Sequence, residues 1–208
     1  MSGSRERVFV VDDDPGVRKS LSRLLRSAGF EPLAFGSAEE FLRQLSADAS
    51  GCLILDLSMP GLDGLALQCE LSSRGGGLAV VFLTGHGDIP KSVRAMKGGA
   101  IDFLTKPVDD EVLLASVRQA LDAERFKRQV RHEIAGIERR LATLTERERQ
   151  VLDGVIDGKL NKQVAGALGI TEKTVKVHRA RVMVKMEASS LAELVRFISV
   201  IRSMRPKP

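Results

Sequence analysis

Two rhythms of apolar residues run along this chain, and one gives way to the other near residue 121. In the first part, unbroken apolar runs such as Val8-Phe9-Val10-Val11, Cys52-Leu53-Ile54-Leu55 and Val80-Val81-Phe82-Leu83 read as strands buried on both faces. Between them lie segments with apolar residues three or four apart. Val17, Leu21, Leu24 and Leu25, closed by Gly29, predict a helix over 15–28. Continuing in this way, strands are expected at 8–11, 31–35, 53–56, 78–83 and 100–105. Helices are expected at 15–28, 37–45, 63–73 and 90–97, with a last one from Asp109 onward. Strands alternating with helices imply a parallel sheet covered on both faces. The fold class expected is therefore α/β, a doubly wound five-stranded parallel sheet.

Beyond Leu121 the runs stop and a long charged helix begins. Val130, Ile134, Ile137, Leu141 and Leu144 follow the 4, 3, 4, 3 spacing of a heptad stripe. Its short extent favours a helical connector over a coiled coil, with self-association through it as the alternative. Thr145-Glu146-Arg147-Glu148 reads as a capping box that opens a further domain. Helices are expected there at 145–158, 162–168, 171–186 and 190–204. The division expected is thus 1–122, a helical linker 123–142, and an all-α domain 143–208 with a frayed Pro206-Lys207-Pro208 tail.

Charge changes the picture once the chain is split. Residues 1–123 hold 13 Lys/Arg and 17 Asp/Glu, net −4, whereas residues 124–208 hold 19 and 10, net +9. A basic second half suggests a nucleic-acid partner, with a solvated basic surface as the alternative. No apolar stretch approaches a membrane span, and the opening residues lead into a strand without a secretory apolar segment, so the expected setting is cytoplasmic, with no membrane partner. Cys52 in a strand and Cys69 in a helix are expected as reduced structural thiols. Gly75-Gly76-Gly77 follows a helix and lacks a Gly-Lys-Ser/Thr ending, so it reads as a flexible connection rather than a phosphate loop.

Candidate chemistry lies at the strand ends. Asp12-Asp13-Asp14 follows the first strand and Asp56 ends the third, the edge at which open parallel sheets bind ligands. Asp14 before Pro15 suits a helix cap. Asp12, Asp13 and Asp56 brought together would repel unless a cation neutralised them, and Mg²⁺ suits such a set of oxygens. Thr84 ends the fourth strand and Lys106 the fifth, adding a hydroxyl and an ammonium. That combination suits phosphoryl transfer to an aspartate. A phosphatase with a nucleophilic Asp would need a second acid two residues on, where this chain has Ser58.

Through Asp12-Asp13, Asp56 with its Met59-Pro60-Gly61-Leu62-Asp63-Gly64 loop, Thr84-Gly85 and Lys106-Pro107, the first domain resembles the flavodoxin-like receiver domain of two-component response regulators. The resemblance implies that Asp56 accepts phosphate from a sensor histidine kinase. It also implies that Asp13, Asp56 and the Ser58 carbonyl ligate Mg²⁺, with Asp12 assisting through water. Thr84 and Lys106 would contact the phosphoryl oxygens, Phe103 would be a switch aromatic coupled to Thr84, and Lys106-Pro107 would be cis. No catalytic activity is implied beyond Mg²⁺-dependent self-phosphorylation from phosphohistidine and slow autodephosphorylation.

In the second domain, Ala165, Gly169 and Val175 have helix-turn-helix spacing, with Thr171 capping a basic second helix. Leu144-Thr145-Glu146-Arg147-Glu148 and Thr174-Val175-Lys176-Val177-His178 resemble the LuxR/NarL-type output domain. That implies double-stranded DNA as partner, with Lys176 and Val177 facing bases. Lys173, Arg179, Arg181 and Lys185 would serve as groove or phosphate contacts. His178 reads as a packing or phosphate-side residue. Leu191, Leu194, Val195 and Ile198 read as a dimer surface or as core. The order of parts, with Gly85-His86-Gly87-Asp88-Ile89-Pro90 and Ala95-Met96-Lys97, resembles the FixJ/NarL family of transcriptional regulators, especially its FixJ branch. It implies a homodimer when phosphorylated, paired through the face from Val93 to Phe103, and RNA polymerase as a further protein the output domain could contact.

Overall fold

The computed structural model describes residues 6–46, 48–75, 77–85 and 89–204, with side chains to 202. The motif residues His86, Gly87 and Asp88, the central Gly76 of the glycine run, the first five residues and the Pro206-Lys207-Pro208 tail lie outside the described residues. The chain divides into two compact units, Met1–Arg128 and Gln129–Pro208.

The first unit alternates β1 (Arg7–Val11), α1 (Pro15–Ser27), β2 (Glu31–Phe35), α2 (Ala38–Gln44), β3 (Gly51–Leu55), α3 (Gly64–Ser73), β4 (Leu78–Thr84), α4 (Ile89–Lys97) and β5 (Asp102–Thr105), followed by α5 (Asp110–Ala142). All pairings are parallel, in the order β2-β1-β3-β4-β5. The expected doubly wound five-stranded parallel sheet is present. Alternate strand residues feed two cores, as a period of two dictates. Phe9, Val11, Leu53, Leu55, Val80 and Phe82 face one. Val8, Val10, Cys52, Ile54, Val81 and Leu83 face the other, where Leu113, Val117 and Leu121 of α5 pack.

Element ends differ from the sequence reading for local reasons. Ser37 and Asp63, expected as first helical residues, are N-caps whose side chains accept backbone N–H bonds, whereas Thr145 and Thr171 cap their helices as expected. Ala100, expected in the fifth strand, instead donates to Ala95 O and closes α4. Asp56 stands one residue beyond β3, its N–H bonded to Val11 O.

The second unit holds α6 (Glu146–Ile156), α7 (Asn161–Leu168), α8 (Glu172–Lys185) and α9 (Leu191–Met204). Its main core joins Leu144, Leu152, Val182, Met186, Leu194, Phe197, Ile198 and Ile201. Ile137 is fully buried in the same core, and Leu141 packs against it. The last turns of α5, expected as a connector, therefore supply side chains to the second unit. Of the heptad stripe, Val130 and Ile134 stay half-buried. On α9, Leu194 and Ile198 are core, whereas Leu191 is exposed and Val195 half-buried. Among the described residues no helix is long and apolar enough to cross a membrane. Both cysteines are free, Cys52 buried and Cys69 exposed at the surface of α3.

Candidate functional site

Because β1 pairs directly with β3, the acidic residues after both strands open at one edge. Carboxylate oxygens of Asp12, Asp13 and Asp56 all lie within 4.8 Å of one another. Asp12 and Asp56 are buried, and Asp13 is exposed. Lys106, at the turn after β5, places its ammonium 2.6 Å from Asp12 Oδ2 and 3.2 Å from Asp56 Oδ2. Burial alone would lower the Lys106 pKa, but the hydrogen bond and charge of Asp12, with those of Asp56, raise it above the ordinary lysine value. It remains an ammonium that partly balances the carboxylates.

The backbone around these groups is held tightly. Asp12 donates its N–H to Phe35 O at 3.3 Å, its Oδ1 accepts from Asp14 N at 2.9 Å, and its carbonyl accepts from Arg18 Nη1 at 2.7 Å. Asp14 caps α1 through Gly16 and Val17, the role expected of it. After Asp56 the chain turns back under its own carboxylate, which accepts from Ser58 N at 3.3 Å. Gly64 then packs against this turn so closely that a β-carbon there would stand 2.3 Å from Asp56 O. Thr84 is fully buried at the end of β4, and its carbonyl accepts the Lys106 N–H at 2.8 Å. Phe103 is half-buried, with its ring 5.9 Å from that of Phe82. The Lys106–Pro107 peptide is cis.

Two residues at this edge were not picked out in the sequence. Arg18 reaches the Asp12 carbonyl from α1, and Glu39 of α2 accepts the Leu62 N–H at 2.9 Å, pinning the loop after Asp56. Glu39 and Leu62 are 23 residues apart, and neither Arg18 nor Glu39 shows a local pattern that distinguishes it from an ordinary surface charge.

In the second unit, α7 ends at Gly169 in the left-handed conformation, φ 65°, where glycine has no β-carbon penalty. Thr171 then caps α8. Val151, Val155, Val164, Ala165 and Val175 pack α6, α7 and α8 together. Lys173, Lys176, Val177 and Ala180 follow the 3, 4 helical spacing along one exposed face, with Arg181 beside them. Arg179 is half-buried, its Nη1 3.4 Å from Asn161 Oδ1. His178 is half-buried with Nδ1 enclosed, in keeping with packing.

Lys185 stands apart from the other expected DNA contacts. Its ammonium is 2.7 Å from Glu148 Oε2 and 3.0 Å from Thr143 O, so it is committed to closing α6 and α8 onto the capping box. Glu148, buried and bonded first by Lys185 and then by the Thr145 N–H, has its pKa lowered to about 2. Lys185, expected as a groove or phosphate contact, is half-buried in this ion pair.

Residues 8–118 match the family model described as response regulator receiver domain. Residues 142–198 match that of bacterial regulatory proteins of the luxR family. Nodulation protein W of Bradyrhizobium diazoefficiens is 49% identical over 189 residues, covering 91% of this chain and 83% of that protein. Transcriptional regulatory protein FixJ of Azorhizobium caulinodans is also 49% identical, over 191 residues, 91% of this chain and 90% of that one. Among solved structures, response regulator StyR aligns at 48% identity with a TM-score of 0.84, covering 94% of this chain and 99% of that one. Full-length FixJ from B. japonicum aligns at 39% identity and TM-score 0.59, covering 98% and 100%. The chain belongs to the two-component response regulators that join a receiver to a LuxR-type DNA-binding domain.

Proposed function

We propose that Asp56 is a phosphoacceptor and that its phosphorylation by a sensor histidine kinase switches the chain to a paired, promoter-binding form. The observation that carries this reading is the convergence of Asp12, Asp13, Asp56 and Lys106 at one sheet edge. An Asp56 carboxylate oxygen forms the new P–O bond as the P–N bond of the partner's phosphohistidine breaks, and the electron pair returns to the imidazole. Lys106 keeps its proton at Nζ and stands against the developing phosphoryl charge, with the Thr84 hydroxyl as the second contact.

Three carboxylates facing one ammonium leave an excess of negative charge, which suits a small hard cation. Asp13, Asp56 and the Ser58 carbonyl would hold Mg²⁺, with Asp12 acting through water. When bound, the ion neutralises charge between Asp56 and the incoming phosphoryl group. Phosphorylation adds about −1.5 to −2 charges, drawing Thr84 toward the phosphate while Phe103 turns inward. The pairing surface is α4, where Ile89, Val93 and Met96 are exposed apolar residues. Two output domains would then meet adjacent half-sites, with α8 in the major groove, Lys176 and Val177 toward bases, and Lys173, Arg179 and Arg181 toward groove or phosphates.

The test is phosphorylation of the full chain with a small-molecule donor and Mg²⁺, followed by intact mass and oligomeric state. Asp56→Asn is expected to abolish both labelling and pairing. Unchanged labelling in that variant would remove Asp56 from the acceptor role.

A further inference from the structure

We infer that Arg18 is a positioning residue of the acidic pocket: by holding the Asp12 carbonyl it sets the Asp12–Asp13 peptide, and so the aim of the Asp13 carboxylate at a divalent cation. This rests on the reading of the pocket as an Mg²⁺ site.

The three carboxylates are not equally constrained. Asp12 and Asp56 are buried and share the Lys106 ammonium. Asp13 is exposed, so its placement depends on the backbone that carries it. On its far side that backbone is fixed by Asp14, whose side chain caps α1 through Gly16 N at 2.7 Å and Val17 N at 3.3 Å. On its near side the peptide linking Asp12 to Asp13 is planar, so the direction of the Asp12 carbonyl sets the direction of the Asp13 N–H and the position of its Cα. That carbonyl accepts from Arg18 Nη1 at 2.7 Å.

Arg18 lies one turn into α1, its own N–H bonded to Asp14 O at 3.1 Å. Long helical side chains fold back toward the helix N-terminus, which brings this guanidinium to the end of β1. It lies alongside Gly36, 3.7 Å from where a β-carbon would stand. The side chain is half-buried, wedged where β1 and β2 end.

Arg18 has two effects of opposite sign on metal binding. As a positive charge near the pocket it repels a cation, so its removal would tighten binding. As the clamp on the Asp12–Asp13 peptide it organises the ligands, so its removal would loosen binding. Partners outside the ligand shell typically contribute ten- to hundredfold in metal affinity. Charge repulsion at a partly solvated site is reduced by screening, and the positioning effect prevails.

The experiment titrates MgCl₂ into the full-length chain and its Arg18→Ala and Arg18→Lys variants, followed by ¹H–¹⁵N NMR. In parallel, the Mg²⁺ concentration giving half-maximal phosphorylation is measured. Arg18→Ala is expected to weaken Mg²⁺ binding by about tenfold or more and to raise the half-saturating Mg²⁺ by the same factor, with a smaller fall in the saturating rate. Arg18→Lys, which keeps the charge and one donor, is expected to fall between Ala and wild type. Wild-type or tighter affinity in Arg18→Ala overturns the inference, because charge alone then accounts for the residue. If Arg18→Ala does not fold, Arg18→Lys decides: weakened binding supports the clamp, and wild-type binding overturns it. Asp13→Asn separates the two levels. If that variant binds Mg²⁺ as wild type does, the pocket reading itself fails, whatever Arg18 does.

Discussion

Lys106 reaches Asp12 across 94 residues of chain and Asp56 across 50, whereas Lys173, Lys176, Val177 and Arg181 lie within three turns of one helix. The acidic pocket exists only when β1, β3, β4 and β5 are assembled in register. The exposed face of α8 needs only a helix and a core that presents it. The pocket combines buried carboxylates with a cation and is electrostatically tense. The α8 face is solvated and its charges repel little. On the proposed function, phosphorylation acts on the first kind of site by adding charge to it, and the second kind supplies affinity and base preference.

The largest effect that would sharpen this contrast comes from the shared helix. Ile137→Ala is expected to destabilise the second unit by about 2–5 kcal/mol, the usual cost of emptying a buried isoleucine, while Asp56 labelling persists. Calorimetry should resolve a selective loss of the second unit's unfolding transition. Loss of both transitions together would mean that the two cores are not independent.

Next in size, Lys106→Ala removes the ammonium that Asp12 and Asp56 share. A loss of about 1–3 kcal/mol in receiver stability is expected without metal, and a smaller loss in millimolar Mg²⁺, because the cation takes over the neutralising role. Denaturant melts with and without Mg²⁺ check it, and an equal loss in both would argue against a cation between the carboxylates.

On α8, Lys176→Ala is expected to relax base preference at one position by about 1–3 kcal/mol. Arg181→Ala should instead weaken all sequences alike and reduce the salt slope by about one unit. Selection from random DNA pools at two salt concentrations distinguishes them. Uniform loss from Lys176→Ala would move that residue to the phosphate class.

A last effect is in pH. Glu148 has a pKa of about 2 when folded, against an ordinary value of 4.5. Its ion pair with Lys185 therefore contributes stability in full above about 4.5, and that contribution is lost as pH falls toward 2. Glu148→Gln should flatten this acid dependence in melts of the second unit. An unchanged acid profile would place the titrating group elsewhere.

β1, β3 and β4 were legible as apolar runs, β2 and β5 more weakly from their places in the strand–helix alternation, and Asp12, Asp56, Thr84 and Lys106 because each stands at a strand end. Caps at Asp14, Thr145 and Thr171 were legible because a cap is a contact between residues two or three apart. The Lys185 ion pair was not legible for the complementary reason. A lysine in a basic helix looks solvated until the fold brings Glu148, 37 residues away, against it. Ile137 and Leu141 likewise show the spacing of a connector stripe, and only the packing of α6, α8 and α9 determines which core they enter.

What the sequence determined by itself was everything carried by period, cap and strand end: the parallel sheet, the helical second half, the helix-turn-helix and the residue types at the sheet edge. Those signals are local, and local physics suffices to read them. Tertiary structure alone decided which distant polar groups meet: Lys106 between Asp12 and Asp56, Lys185 on Glu148 and Glu39 on the Leu62 N–H. Ion pairs and side-chain hydrogen bonds act over about 3 Å, and residues this far apart in the chain come within that distance only once the strands are paired and the helices packed.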